Sequence, residues 1–176
     1  MKAKMAQAPT SSALAVPPPE PPKPWDDVAL QRLWLATQRR EWRTLALVGA
    51  SKAVDTLHLA QLFAKLAWWW SGQPSCTFDL RDLSLRLVQY HQREVAAQSE
   101  TGARVFIALG STLANPTAVP MARSADAVLL VVDLGEAKFK DAQQTIDQVG
   151  RDRFLGAIVV RPPDPRRPAS ETRGRR

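Results

Sequence analysis

The sequence holds one cysteine, one tyrosine and two histidines. A single cysteine excludes a disulfide framework within the chain, and any zinc site built on several thiolates. His58 and His91 lie far apart, and neither has a cysteine or histidine at ligand spacing, so no metal site is expected. Cys76 falls in a short strand-like stretch and reads as a small buried hydrophobe. No apolar run is long enough to span a bilayer as a helix; the run over residues 125–132 is among the longest. Lys2 and Lys4 are not joined to a continuous apolar segment, so no signal peptide is expected and the chain reads as cytoplasmic. Ser111 follows Gly110 without a G-x-S-x-G elbow, and there is neither a helix-turn-helix nor an internal repeat.

What the chain does have is proline and positive charge, both unevenly placed. Eleven of the 14 prolines lie before residue 26 or after residue 160. Residues 1–25 carry three lysines against Glu20, and residues 161–176 carry six arginines against Asp164 and Glu171. Of the net charge of +7, only +1 remains for residues 26–160. The basic character thus belongs to the ends. Residues 1–25 read as a disordered, Pro-rich basic linker, with a polyproline-type stretch from Pro17 to Pro24. Residues 161–176 read as a disordered Arg-rich tail. Such ends are either solvated or touch anionic lipid or nucleic-acid phosphates. With no aromatic residue in the tail there is no base-stacking platform, which argues against DNA.

Residues 26–160 alternate helix and strand signals. Asp26 or Asp27 can cap a helix to about Glu41, with Val28, Leu30, Leu33, Trp34 and Leu35 apolar. Further helices are expected at residues 56–70, 82–99, 115–123 and 138–149. Leu83, Leu87, Tyr90 and Val95 would form the buried stripe of the one over 82–99. Strands are expected at 44–48, 75–80, 104–109, 127–133 and 156–160. The fourth strand is apolar on both faces, as in a parallel sheet. Repeated strand–helix units predict an α/β fold, a mostly parallel sheet flanked by helices on both faces.

Trp68-Trp69-Trp70 is unusual. Successive helix positions are about 100° apart, so three tryptophans cannot all face one core. Either some stand at an interface, or the helix end is tucked under neighbouring segments.

Gly49-Ala50-Ser51-Lys52-Ala53-Val54-Asp55-Thr56 lies between the first strand and the second helix, where a phosphate-binding G-x-x-x-x-G-K-[ST] loop belongs. Leu59-Ala60-Gln61-Leu62-Phe63-Ala64-Lys65-Leu66-Ala67 is similar to the helix after that loop in ParA/MinD-like ATPases. Phe78-Asp79-Leu80-Arg81 resembles the D-A-D-L-R element of the bacterial tyrosine autokinases of capsule and exopolysaccharide synthesis. Val105-Phe106-Ile107-Ala108-Leu109-Gly110 stands where that family has V-I-I-D-T-P. The segments 122–132 and 150–160 also resemble the family's A-x-x-A-D-G-V-L-L-V-V and closing segments. The resemblance covers about residues 28–160 and implies a P-loop NTPase-like three-layer sandwich.

The same resemblance shows what is missing. Val54 replaces the second loop glycine and adds a branched side chain where backbone must approach phosphate. Asp55 replaces the lysine; a like charge at about 4 Å costs roughly 4 kcal/mol at an effective dielectric near 20. As a helix N-cap, by contrast, Asp55 is well suited. Lys52 stands three residues early for a substitute cation. Of the two acidic positions, Asp79 remains and the second is Ala108, which ligates nothing. Asp79 alone reads as a solvated residue at a sheet end. The C-terminal tyrosine cluster is absent, since Tyr90 is the one tyrosine. The E-x-x-R-x-x-R assembly helix maps onto Val28, Gln31 and Trp34.

The reading is a catalytically inactive autokinase-like module with no cofactor and no catalytic residue. Gly49, Val54, Asp55 and Thr56 would be its degenerate phosphate loop, and Trp34, Trp68, Trp69 and Trp70 its partner surface. The resemblance implies an accessory or regulatory role in capsule or exopolysaccharide export, at the inner face of the inner membrane. The partner would be a membrane polysaccharide co-polymerase or an active kinase paralogue. Two alternatives stand beside it. One is a divergent ATPase or tyrosine kinase that binds ATP and magnesium through Lys52 and Asp79. The other is a ParA/MinD-like positioning or DNA-associated factor using the Arg-rich tail.

Overall fold

Strand β1 (Thr44–Gly49) is apolar but for its ends, and all of it is buried, which places it inside a sheet covered on both faces. In the computed structural model, which describes residues 23–161, β1 is the middle of five parallel strands ordered β2-β3-β1-β4-β5. The others are β2 (Ser75–Asp79), β3 (Arg104–Leu109), β4 (Ala127–Asp133) and β5 (Phe154–Val160). The connecting helices are α1 (Val28–Thr37), α2 (Thr56–Ser71), α3 (Val88–Glu100), α4 (Ala118–Ser124) and α5 (Phe139–Val149).

Alternation along each strand divides the core in two. Leu45, Leu47, Phe106, Ala108, Leu129 and Val131 face α1 and α2, where they meet Trp34, Phe63 and Leu66. Ala46, Val48, Val105, Ile107, Leu109 and Val128 face the other way, against Val88 and Val95 of α3, Met121 of α4 and Val149 of α5. The three-layer α/β sandwich expected from the sequence is therefore the fold.

Two expectations need correction. The stripe Leu83, Leu87, Tyr90 and Val95 does not hold: Leu83 and Val95 are buried, but Leu87 and Tyr90 are exposed. The reason is a change of phase. Leu85–Leu87 forms a 3-10 turn and α3 begins only at Val88, so Val88 and Val95, two turns apart, face the sheet. In α1, Val28 and Leu35 are also exposed, and Trp34 is the deeply buried apolar residue. The disordered ends expected at 1–25 and 161–176 lie mostly outside the described residues. Within them, Pro24–Asp26 is a 3-10 turn, so the expected linker boundary after Trp25 falls inside an ordered element.

The ends of the elements are closed by side chains. Asp27 caps α1 by accepting from the Ala29 and Leu30 amides, at 2.7 and 3.3 Å. α2 ends at Gly72 in the left-handed conformation, φ 64°, which a side chain would disfavour. Asp126 accepts from the Arg43 and Thr44 amides, both at 2.9 Å, and ties the entry of β1 to that of β4. Burial pushes the Asp126 carboxyl up, but these hydrogen bonds outweigh it and hold it below the usual range.

Candidate functional site

Parallel α/β sheets bind ligands beyond the carboxyl ends of their strands, and the loop after β1 stands at that place. Gly49 ends β1, and a Cβ there would stand 2.9 Å from the Ser51 carbonyl oxygen, so the loop folds tightly over a residue without a side chain. The Ala50 amide donates to the Val131 carbonyl at 2.8 Å and pins the loop to β4. Val54 is buried in the α2-side core. Its side chain serves packing where the motif's glycine would leave room for phosphate.

Asp55 caps α2 and accepts from the His58 amide at 3.1 Å, as its position at the helix start predicts. The Thr56 hydroxyl, the one motif position retained at this end, donates to the Leu109 carbonyl at 2.9 Å and is fully buried. In a phosphate loop that hydroxyl faces a magnesium ion. Here it joins α2 to the end of β3.

Asp79 and Ala108 are register partners on β2 and β3, so the two expected acidic positions are neighbours. Ala108 is fully buried in the apolar cluster beneath α2. Asp79 is engaged. Arg81 donates to it from Nε at 2.8 Å and from Nη2 at 2.9 Å, and from Nη1 to Asp55 at 3.3 Å. This hydrogen bonding holds the Asp79 carboxyl below its usual range and raises the Arg81 guanidinium. Asp79 stands exposed at the end of β2, as the sequence reading expects, and in addition carries a guanidinium in a two-pronged grip.

Arg81 was legible in the sequence only as the last letter of the D-L-R resemblance. Its role arises because the end of β2 lies beside the start of α2. Asn115 fixes the strap that carries it, with Nδ2 donating to the Leu83 carbonyl at 3.0 Å; the Thr117 hydroxyl donates to the same carbonyl at 2.7 Å. Beside this strap is a cavity of about 470 Å³ lined by Lys52, Val54, Arg81, Gly110, Ser111 and Asn115. Lys52 is exposed at its rim. The structure therefore brings Lys52, Asp55, Asp79 and Arg81 to one place. One further acid, Asp133 at the end of β4, is buried with Oδ1 unpartnered among the described residues.

His58 is exposed on α2, and His91 packs edge-on against Tyr90 on α3. Among the described residues no cluster of three metal-ligating side chains occurs. Cys76 is partly buried on β2, and burial pushes its thiol up. No helix among the described residues is long and apolar enough to cross a membrane.

The tryptophans separate into two groups. Trp34 is 2% exposed and does not belong to a partner surface. Its ring meets Trp42 edge-on at 6.0 Å and Phe63 at 6.2 Å, and Arg104 lies over Trp42 at 4.6 Å. Trp68, Trp69 and Trp70 are 59%, 53% and 56% exposed. Trp25, which the sequence reading left in the linker, joins them by stacking on Trp69, with centroids 5.9 Å apart and planes within 4°. A groove of about 760 Å³ runs along α2 between Trp25, Gln61, Lys65, Trp68, Pro74 and Thr77.

No protein-family model and no curated protein matches the sequence. Among solved structures, the chain is similar to the kinase domain of Escherichia coli tyrosine kinase ETK, with a TM-score of 0.62 and 16% identity. That match covers 77% of this chain and 75% of the other. A second match, to FlhF complexed with GTP and magnesium, has a TM-score of 0.43 and 16% identity over 74% of this chain and 62% of that one. At these identities the likeness is one of fold: residues 23–161 form a P-loop NTPase-like sandwich arranged as in the ETK kinase domain.

Proposed function

We propose that this chain is a nucleotide-silent relative of the bacterial tyrosine autokinases, acting by protein contact as an accessory or regulatory module in capsule or exopolysaccharide export. The observation that carries the proposal is the Asp55–Arg81–Asp79 group. An anion stands where the motif needs a lysine, and it is bridged by Arg81 to the remaining acidic position. Incoming phosphates would meet the Asp55 charge, and a metal would have to take Asp79 from a guanidinium that holds it at two points. The buried Thr56 hydroxyl and Ala108 withdraw two further groups from nucleotide chemistry. The export setting rests on the sequence resemblance alone; the likeness to the ETK kinase domain supports the fold. A membrane co-polymerase or an active kinase paralogue, at the cytoplasmic face of the inner membrane, is the partner this setting supplies. The exposed Trp68, Trp69 and Trp70 are the surface for it.

The test is incubation with magnesium and ATP under conditions in which an autokinase labels itself. The expected result is neither hydrolysis nor phosphotyrosine at Tyr90, which is exposed on α3. Phosphate transfer to Tyr90, or steady ATP turnover, overturns the proposal.

One observation favours a second reading. Lys52 and Arg81 line the same cavity, so two cations stand near the loop. A divergent ATPase or kinase built on Lys52 and Asp79 would lose its turnover on Lys52→Ala.

A further inference from the structure

We infer that the cleft at the amino ends of the strands binds a small phosphate ester or diphosphate through Arg40, Arg43, Arg104 and Arg153. The cleft stands at the opposite edge of the sheet from the loop after β1, so its occupancy is independent of the proposed function.

Three observations carry it. The first is charge. The cleft has a volume of about 780 Å³, in the range of small-molecule sites. Its charged lining is the four arginines against Glu41 and Asp126. That excess of two positive charges is larger than the +1 of residues 26–160 as a whole, so the charge of the fold is concentrated here. Asp126 is committed to the Arg43 and Thr44 amides, and Arg40 helps to keep its carboxyl ionised. None of the four guanidiniums makes an ion pair among the described residues. The second is how the guanidiniums are held. From Nη1, Arg104 donates to Gln38 Oε1 at 3.1 Å, Arg153 to the Ala125 carbonyl at 3.0 Å and Arg40 to the Asp152 carbonyl at 3.1 Å. Each acceptor is uncharged. One nitrogen anchors each fork, while Nε and Nη2 have no acceptor among the described residues. The third is Arg104 itself. It is half-buried, with its guanidinium 4.6 Å from the Trp42 ring centre and 5.3 Å from that of Trp34. Burial pulls it below its usual range, and no carboxylate offsets that. A cation fixed in a partly dry place holds an anion more strongly than a solvated one. The class of ligand follows. A carboxylate would satisfy one fork and one charge, whereas a phosphate ester brings nearly two charges and three acceptor oxygens, and suits two forks. Thr44 and Val105 are register partners, so Arg43 and Arg104 head adjacent strands, where an anion relieves the repulsion between them.

The experiment titrates the full chain with inorganic phosphate and with pyrophosphate at constant ionic strength, and reads nuclear magnetic resonance. The reporters are the Arg104 and Arg153 Nε–H groups and the Trp42 indole N–H, which donates to the Thr37 carbonyl at 2.9 Å. Saturable shifts with a Kd in the millimolar range are expected, tighter for pyrophosphate, with none from acetate. Arg104→Gln and Arg153→Gln should each weaken binding by about tenfold or more, through loss of charge-assisted hydrogen bonds. Arg153 touches neither tryptophan, so its variant carries the test even where Arg104→Gln unfolds. Lys52→Ala, at the other edge of the sheet, should change nothing. Absence of saturable shifts overturns the inference and leaves the proposed function standing, the guanidiniums then serving only their carbonyl and amide acceptors. Shifts abolished by Lys52→Ala overturn both, since phosphate would then be held at the loop after β1. A short single-stranded oligonucleotide that binds more tightly than pyrophosphate overturns the assignment to a small ligand.

Discussion

Arg81 grips Asp79 at two points, Nε to Oδ1 at 2.8 Å and Nη2 to Oδ2 at 2.9 Å. The Asp79 carboxyl is held below its ordinary value of 3.8 mainly by that side-chain hydrogen bond. Because the folded value is depressed, the pair's contribution to stability is fully present above the unfolded pKa and is lost as pH falls through the folded one. Both side chains are more than a third exposed, so the effect on stability is small. Carbon-detected titration of Asp79 is therefore the better measurement. Arg81→Gln should bring its midpoint back toward the ordinary value; an unchanged midpoint would mean that the grip is absent in solution.

Asp55 and the start of α2 give a second test. Asp55→Ala removes an acceptor for the His58 amide and should lower stability by about 1 kcal/mol. Asp55→Asn keeps a capping oxygen and should lie within a few tenths of the parent. Urea unfolding of the two variants separates capping from charge: equal losses would show that the carboxylate charge, not the cap, is what matters.

Restoring an acid at Ala108 should not restore a metal site. The position is fully buried among Leu47, Phe106 and α2. Ala108→Asp places an uncompensated charge there and should cost several kcal/mol or leave the residue protonated. Thermal unfolding with and without magnesium checks this, and magnesium-dependent rescue of Tm would refute it.

The two tryptophan groups should behave oppositely. Trp34→Ala empties a core site and should cost about 3–5 kcal/mol, enough to threaten folding. Trp69→Ala removes one stacked surface pair and should cost about 1 kcal/mol. Comparable losses in chemical denaturation would contradict the division between core and surface.

The contrast between these tryptophans also shows which features the sequence carried. β4 was legible because an unbroken apolar run has one meaning in a parallel sheet, and Asp55 because an acid before a helical apolar pattern is a cap. For Trp68-Trp69-Trp70 the 100° step between neighbours excluded one shared core face but left exposure and a tucked helix end both open; all three are exposed. Trp34 did not betray its burial, since that depends on Trp42 and Phe63 arriving from other elements. α3 was misphased because no local signal separates the Leu85–Leu87 turn from the helix it leads into. Arg81 was missed for a similar reason. Its partners lie 2 and 26 residues away, and only the placement of β2 beside α2 unites them.

Under the proposed function, the loop between β1 and α2 no longer receives nucleotide phosphates. Calorimetry with magnesium and ATP or ADP tests it most directly, on the native chain beside the double variant Val54→Gly, Asp55→Lys. No binding heat is expected from the native protein, with any recovery confined to the variant. Micromolar binding by the native chain would contradict it, showing that Arg81 and Lys52 hold phosphate in spite of Asp55.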